Sequence, residues 1–283
     1  MNRALLFALA LLLLGGAAAA LWVWLRRRRP RLRRRRRVPP RPRYPVVLVH
    51  GLFGFDEIGV GASRQVYFRG IGDALAKDGH GIHVARMPAA RSIAERAQEL
   101  ARCVRSIDAK RVNLVAHSMG GLDARYAITR LGLRPSVATL LTIGTPHRGS
   151  PLADLSAELA AKLGVARALA AGGLSLGALG DLTTESLAVF NGRVPDCRGV
   201  AYLSVVGAVR RKRRTNPLLL PSYLWMRRQW GENDGIVPSS SQRWGKVVAE
   251  IEADHWAQIG WSSHFDAPRF YVRLLRELRA LGF

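Results

Sequence analysis

A serine between small residues is the strongest chemical signal in the chain. Ser118 directly follows the apolar run Val112–His117, and Ala116 and Gly120 lie two residues to either side of it. A segment with helical character, Leu122 to Arg130, comes next. This is the context in which a sharp strand-to-helix turn exposes a serine hydroxyl as a nucleophile. We therefore predict that Ser118 attacks a carbonyl carbon; an ordinary strand-to-helix turn is the alternative.

A nucleophilic serine needs a general base and a carboxylate that orients the base. After a serine of this kind, the acid and then the histidine are expected later in the chain. The turn Glu232 to Pro238 offers Asp234, and Asp254-His255-Trp256 offers His255, 21 residues further on. Both lie on loops after candidate strands, where the ligand crevice of an open α/β sheet forms. A simple Asn-Asp-Gly turn is the alternative for Asp234.

Three other histidines are weaker candidates for the base. His264 also follows the acid, but it precedes the last predicted helix, where a capping or surface role fits it. His117 is adjacent to Ser118 and is expected to point away from the turn. His147, in the run Thr145 to Ser150, is expected to shape a wall of the site.

An oxyanion formed at the carbonyl needs two backbone N–H donors. Met119 follows Ser118 and is predicted to supply one of them. Leu52, in the loop His50 to Phe55, is predicted to supply the other because Gly51 lets the backbone turn there. A glycine turn without this role is the alternative.

Apolar runs alternate with helical stripes from Pro45 onward. Strands are predicted at Pro45–His50, Ile82–Ala85, Val112–His117, Val137–Ile143, Val200–Val206 and Val247–Ile251. Helices are predicted through Tyr67, Ile71 and Leu75, after the capping box Ser92–Glu95, after Ser118, and from Ala267 to Leu281. This alternation predicts an α/β fold with a mostly parallel sheet flanked by helices. Residues 146–190 break the pattern and are predicted to form a helical lid; ordinary core helices are the alternative.

The N-terminal region carries a separate signal. Residues 4–25 contain no charge, and ten arginines follow within residues 26–37. The division predicted is a transmembrane anchor or signal-like segment (1–25), an Arg/Pro-rich linker (26–44) and a catalytic domain (45–283). The positive-inside rule favours an uncleaved anchor in a bacterial inner membrane with a cytoplasmic domain. A secreted or periplasmic protein after signal cleavage is the alternative.

The charge balance bears on partners. The chain has 44 Lys plus Arg against 20 Asp plus Glu, a net charge of +24, with seven basic residues between Arg210 and Arg228. The arginine tract is expected to contact anionic lipid or to set topology. No specific nucleic-acid partner is predicted, because the tract has no aromatic interleaving and no recognition-helix pattern. Cys103 and Cys197 form neither a disulfide scaffold nor a metal site, and no cofactor is predicted.

Several motifs together resemble a known family. VVLVHGLFGFD, VNLVAHSMGGLDARY, TIGTPHRGS, LTTESLAVFN, NDGIVPSSS and DHWAQIGW are similar to bacterial triacylglycerol lipases of the Pseudomonas and Burkholderia type, over roughly residues 45–275. The resemblance implies an α/β-hydrolase fold with Ser118 as nucleophile, Asp234 as acid and His255 as base. It also implies Leu52 and Met119 as oxyanion donors.

The chain departs from this family at two places. Ala116 replaces the usual glycine before the nucleophile. The family's structural calcium site uses an Asp two residues after the histidine, where this chain has Ala257, and an upstream Asp, where Arg210 to Trp230 contains no carboxylate. Because calcium needs anionic oxygen ligands, no metal is expected there.

The predicted function is hydrolysis of carboxylic esters in acylglycerol-like lipids through an acyl-enzyme. A phospholipase, a short-chain esterase and a catalytically silent membrane-associated binding protein are the alternatives.

Overall fold

The computed structural model describes residues 41–52, 58–60, 63–65, 67–162 and 176–283. The chain divides into two units, Met1–Val38 and Pro39–Phe283. The predicted anchor (residues 1–25) and most of the predicted linker (26–44) lie outside the described residues. Among the helices of the described part, none combines the length and the apolar character needed to cross a bilayer.

A parallel sheet forms the centre of the second unit. In chain order its strands are β1 (Val46–Val49), β4 (Ile82–Val84), β5 (Val112–His117), β6 (Val137–Ile143), β7 (Ala201–Gly207) and β8 (Lys246–Ile251). Within the described residues they pair in the order β4-β1-β5-β6-β7-β8, every pair parallel. Two short strands, β2 (Ile58–Val60) and β3 (Ser63–Gln65), form a separate antiparallel pair.

Helices connect these strands. They are α1 (Ile71–Lys77), α2 (Ile93–Ser106), α3 (Gly120–Arg130), α4 (Pro151–Lys162), α5 (Leu176–Gly180), α6 (Thr184–Arg193), α7 (Leu220–Trp230), α8 (Ser239–Gln242) and α9 (Ala267–Ala280). Single-turn 3-10 helices in the described part of the chain lie at Arg134–Ser136, Lys212–Arg214 and Ala257–Ile259. The predicted strands and helices thus agree with the structure to within one or two residues at most ends.

Strands buried on both faces explain the continuous apolar runs. In β1, Val46 and Leu48 pack into one apolar layer with α1 and α9, and Val47 and Val49 pack into the opposite layer with α2 and α3. The sheet is therefore covered by helices on both sides, which confirms the predicted fold class. Because all its strands are parallel, their carboxyl ends meet at one edge.

The predicted capping box before α2 is present. The Ser92 hydroxyl accepts a hydrogen bond from Glu95 N at 3.3 Å, and the Glu95 carboxylate accepts one from Ser92 N at 3.0 Å.

The first predicted helix begins later than expected. Tyr67 was expected on this helix, but α1 begins only at Ile71, after Gly70 with φ 69°. Tyr67 therefore lies in the preceding bend.

Helices α4, α5 and α6 are inserted between β6 and β7. They cover the predicted lid, and α6 extends three residues beyond its predicted end at residue 190. The Asp154 carboxylate of α4 accepts hydrogen bonds from Thr184 N at 2.8 Å and from the Thr184 hydroxyl at 3.0 Å, so α4 is joined to the start of α6. Residues 163–175 of the lid segment lie outside the described residues. The lid function stays a prediction.

Candidate active site

Ser118 lies at the turn between β5 and α3. Its φ is 56°, the only positive φ among non-glycine residues in the described part of the chain. An L-residue in the left-handed region is disfavoured by roughly 1–2 kcal/mol. Two hydrogen bonds hold the turn: Ser118 N donates to Ile143 O at 2.9 Å, and the Thr145 hydroxyl donates to Ser118 O at 2.8 Å. The structure therefore has the predicted sharp turn between strand and helix at Ser118.

Small residues around Ser118 have distinct structural reasons. A Cβ on Gly120 would lie 2.7 Å from both Val49 O and His50 O, so α3 approaches the end of β1 as closely as glycine allows. Ala116 is fully buried, and its methyl group packs into the apolar layer with α2 and α3. Alanine in place of the family's glycine thus fits the core of this chain.

The structure brings Ser118, His255 and Asp234 together at the carboxyl edge of the sheet. His255 Nε2 is 2.9 Å from Ser118 Oγ, and His255 Nδ1 is 2.8 Å from Asp234 Oδ2. Asp234 is completely buried, and His255 and Ser118 are nearly so. The loops are also joined by the backbone, since His255 N donates to Asp234 O at 2.8 Å.

Further donors fix the Asp234 carboxylate. Asp234 Oδ1 accepts hydrogen bonds from Ile236 N at 3.0 Å and Val237 N at 2.8 Å. The Gln258 amide donates to Asp234 Oδ2 at 2.9 Å. Sequence reasoning missed Gln258, because an amide in the loop after a histidine gives no periodic signal.

Asp254, the residue before His255, closes the loop that carries the histidine. Its carboxylate accepts hydrogen bonds from Asn216 N at 2.8 Å, Trp256 N at 3.0 Å and Ala257 N at 2.8 Å. Burial raises the pKa of Asp254, and these backbone donors oppose the rise. Asp254 is thus a positioning residue for His255 that the sequence analysis did not identify.

The candidate oxyanion donors flank Ser118. Met119 is fully buried at the start of α3, and Leu52 is half-buried in the turn after β1. A Cβ on Gly51 would lie 2.7 Å from Ser118 Cβ, which shows how closely the Leu52 loop approaches the serine. Both predicted donors therefore belong to backbone segments that lie against Ser118.

A buried ion pair between Arg96 and Asp123 holds the loop that carries Leu52. Arg96 of α2 donates to His50 O at 2.7 Å, to Gly51 O at 3.2 Å, and to Asp123 Oδ2 of α3 at 2.9 Å. Both side chains of the pair are fully buried. Burial raises the pKa of Asp123 to about 7, against the lowering by Arg96. One feature of the sequence indicated a buried partner for Arg96: this charged residue lies on the apolar face of α2.

The other histidines occupy the places of supporting or surface residues. His264 is exposed, and no hydrogen bond joins its side chain to Ser118 or Asp234 in the described structure. His117 lies behind His255, with ring centroids 4.5 Å apart. His147 is fully buried, with Nε2 3.1 Å from the Thr142 hydroxyl and its ring stacked on Trp244.

No candidate metal centre is found among the described residues, where no three His, Cys, Asp or Glu side chains are grouped to hold an ion. At the position expected for the family's calcium, Ala257 is buried. In the upstream loop, Arg214 Nη1 donates to Glu252 Oε2 at 2.9 Å. Cys103 and Cys197 are both free and half-buried.

The fold and this constellation define the class: an α/β-hydrolase with a serine at the end of a central parallel strand. Residues 89–165 match the model of the PGAP1-like alpha/beta domain. The chain is 34% identical over 245 residues to a triacylglycerol lipase of Vibrio cholerae, covering 74% of this chain and 76% of that protein. It is 32% identical over 292 residues to a triacylglycerol lipase of Pseudomonas fragi, covering 85% and 97%. The chain belongs to the triacylglycerol lipase family and is a carboxylic ester hydrolase.

Solved structures agree on the fold. The mature lipase BlEst2 of Bacillus licheniformis superposes with a TM-score of 0.65 at 24% identity, covering 84% of this chain and 94% of that one. A metagenomic carboxyl esterase superposes with a TM-score of 0.73 at 19% identity, covering 89% and 80%. The predicted resemblance and the predicted enzyme class are confirmed.

Proposed function

We propose that this protein hydrolyses acylglycerol-type lipid esters through a Ser118–His255–Asp234 triad. The observation that carries the proposal is the continuous pair of hydrogen bonds, 2.9 Å from Ser118 Oγ to His255 Nε2 and 2.8 Å from His255 Nδ1 to Asp234 Oδ2. A serine, a histidine and a buried carboxylate joined in this order are the arrangement that activates a hydroxyl for acyl transfer.

Each group has one role in the proposed reaction. His255 Nε2 accepts the hydroxyl proton as Ser118 Oγ bonds to the acyl carbon, and Asp234 stabilises the resulting imidazolium. The backbone N–H groups of Leu52 and Met119 bind the oxyanion. His255 then protonates the departing alcohol, and the ester bond breaks to leave an acyl-enzyme. A water molecule, deprotonated by His255, releases the fatty acid and restores Ser118.

The substrate class follows the relatives, several of which are named triacylglycerol lipase. A phospholipase or a short-chain esterase uses the same chemistry and differs in the head group or acyl chain accepted.

We also propose that residues 4–25 and the arginine tract tether the catalytic domain to a bacterial inner membrane, on the cytoplasmic side. N-terminal sequencing of the mature protein checks this: removal of residues 1–25 favours the secreted or periplasmic alternative.

The test is hydrolysis of p-nitrophenyl esters of increasing chain length, of a triacylglycerol and of phosphatidylcholine by the full-length protein. Ser118→Ala and His255→Gln are each expected to lower kcat by about 10⁴-fold or more. His264→Gln, the same substitution at an exposed histidine, is the matched control and is expected to be silent. Covalent labelling by a fluorophosphonate is expected to depend on Ser118.

The substrate panel separates the alternatives. Rates that rise with acyl chain length, highest on the triacylglycerol, support the lipase. A preference for phosphatidylcholine or for the shortest ester assigns the phospholipase or the esterase. A folded Ser118→Ala protein that retains the full rate contradicts the triad.

A further inference from the structure

The segment between β7 and the Asp234 loop carries charge that the proposed reaction does not use. Residues 210–230 contain seven basic residues and no acidic one. The segment is closed at its base by a hydrogen bond from Val209 N to Asn233 O at 2.9 Å and by the Arg210–Glu232 ion pair at 3.6 Å. The segment therefore leaves the carboxyl edge of the sheet after β7 and returns to it just before Asp234.

Helix α7 has an inner and an outer face. Tyr223 and Met226 are buried. Leu224 is 42% exposed, and the exposed Arg227 and Arg228 follow it by three and four residues, so the three share one face. At the end of the helix, Trp230 is 40% exposed and its ring lies 4.9 Å from that of Trp225.

Five exposed basic residues of the segment make no ion pair with any residue that the structure describes. They are Arg211, Lys212, Arg213, Arg227 and Arg228. Together with Leu224 we call them the basic face. Unpaired cations in a segment with an exposed leucine are a combination found where a protein lies on a lipid interface.

We propose that the basic face docks on an anionic lipid surface. The cations bind headgroup phosphates, and Leu224 enters the region between headgroups and acyl chains. Nucleic acid also offers phosphates, but it gives no reason for an exposed leucine on the arginine-bearing side of the helix. The docking goes beyond the proposed hydrolysis, because it does not require the triad.

The segment that carries the basic face is hydrogen-bonded to the loops of Asp234 and His255. From α7, the Ser222 hydroxyl donates to Gly235 O at 2.6 Å, next to Asp234. Asn233 Nδ2 donates to Tyr223 O at 3.3 Å. From the preceding loop, Asn216 N donates to Asp254 Oδ2 at 2.8 Å, next to His255. A lipid surface held by this face is therefore held by the same segment that supports the loops of Asp234 and His255.

The experiment places an environment-sensitive fluorophore on the full-length protein. Leu224→Cys is labelled with NBD in a Cys103→Ala, Cys197→Ala background. Leu281→Cys, at a 43% exposed position at the end of α9, is the matched control. Vesicles are pure phosphatidylcholine or equimolar phosphatidylcholine and phosphatidylglycerol. We expect the label at 224 to shift to the blue and brighten about twofold on the anionic vesicles alone, and the shift to fade at high salt.

A charge-neutralised variant tests the cause. Arg213→Gln/Arg227→Gln/Arg228→Gln is compared with Arg91→Gln/Arg102→Gln/Arg193→Gln, which removes the same charge elsewhere on the surface. At about fivefold per charge, the first triple is expected to weaken docking by roughly 100-fold, and the second to leave it unchanged. The variants are also assayed on a water-soluble ester, which reports the proposed hydrolysis separately.

Three results overturn the docking proposal. One is an equal response of the labels at positions 224 and 281, or an equal response to the two vesicles. Another is a shift at 224 produced by single-stranded oligonucleotide but not by phosphatidylglycerol. A third is loss of soluble-ester hydrolysis in the first triple variant with vesicle response retained, because the arginines would then support the site itself.

Discussion

The Tyr67 hydroxyl joins the loop that carries Leu52 to His117, the histidine beside Ser118. It lies 2.7 Å from His117 Nδ1 and accepts a hydrogen bond from Gly51 N at 3.1 Å. Burial lowers the pKa of His117 well below its usual value, and the nearby His255 adds to the effect. Because the hydroxyl oxygen accepts from Gly51 N, its own hydrogen is left to donate to His117 Nδ1. One hydroxyl thus positions both sides of the candidate oxyanion hole.

Tyr67→Phe tests this arrangement. It leaves two buried groups without their partner, at a cost of roughly 1–3 kcal/mol. We expect kcat to fall about tenfold with little change in KM, because the hydroxyl holds the donor loop and not the substrate. The matched control is Tyr271→Phe, since the buried Tyr271 hydroxyl has no hydrogen-bond partner among the described residues. Equal loss of kcat in both variants contradicts the role of Tyr67.

The Arg96–Asp123 pair is expected to matter far more for stability than a surface pair on the same helix. Asp123→Asn leaves a buried guanidinium without its counter-charge, which costs about 3–5 kcal/mol. Glu99→Gln removes the partner of exposed Arg102 and is expected to cost under about 1 kcal/mol. Urea unfolding of the two variants measures the difference. Similar midpoints would mean that the Leu52 loop is held by other contacts.

Gly120 is expected to tolerate no side chain. Gly120→Ala places a methyl group against Val49 O and His50 O, so α3 and the turn at Ser118 must shift. A displacement of about 1 Å at a reacting group lowers the rate on the order of 100-fold. Gly192→Ala, on α6 with open space around it, is the control and is expected to stabilise the fold by roughly 0.5 kcal/mol. Ester hydrolysis and thermal unfolding are measured for both.

The stability of the fold is expected to decrease in mild acid. Burial, with a smaller contribution from Arg125 and Arg148, lowers the pKa of His147 well below 6.5. The unfolded chain therefore binds a proton below pH 6.5 that the folded chain does not bind. The free energy of unfolding contributed by this histidine is fully present above pH 6.5 and falls by up to about 1.4 kcal/mol per pH unit below it.

Urea unfolding between pH 7.5 and 5 checks that dependence. His147→Gln is expected to flatten the slope, whatever its effect on absolute stability. His264→Gln, at an exposed histidine, is expected to leave the slope unchanged. An identical slope in all three proteins would assign the acid sensitivity to other groups.

The strands and the three residues of the candidate triad were predictable because each has a local signature. Apolar runs predict buried strands, and Ser118, Asp234 and His255 all follow strands or lie in turns with recognisable residues. Tyr67 and Gln258 were not predictable in the same way. Their hydrogen bonds join residues far apart in the chain, and periodicity shows which face a residue occupies but not its partner.

At Ser118, stability and activity are opposed in a single residue. Glycine adopts the left-handed backbone of this turn without the steric penalty of a side chain. Ser118→Gly is therefore expected to give a protein that resists heat better than the natural one and hydrolyses nothing. The fold itself thus favours glycine at position 118, and the proposed chemistry is the reason for a serine there.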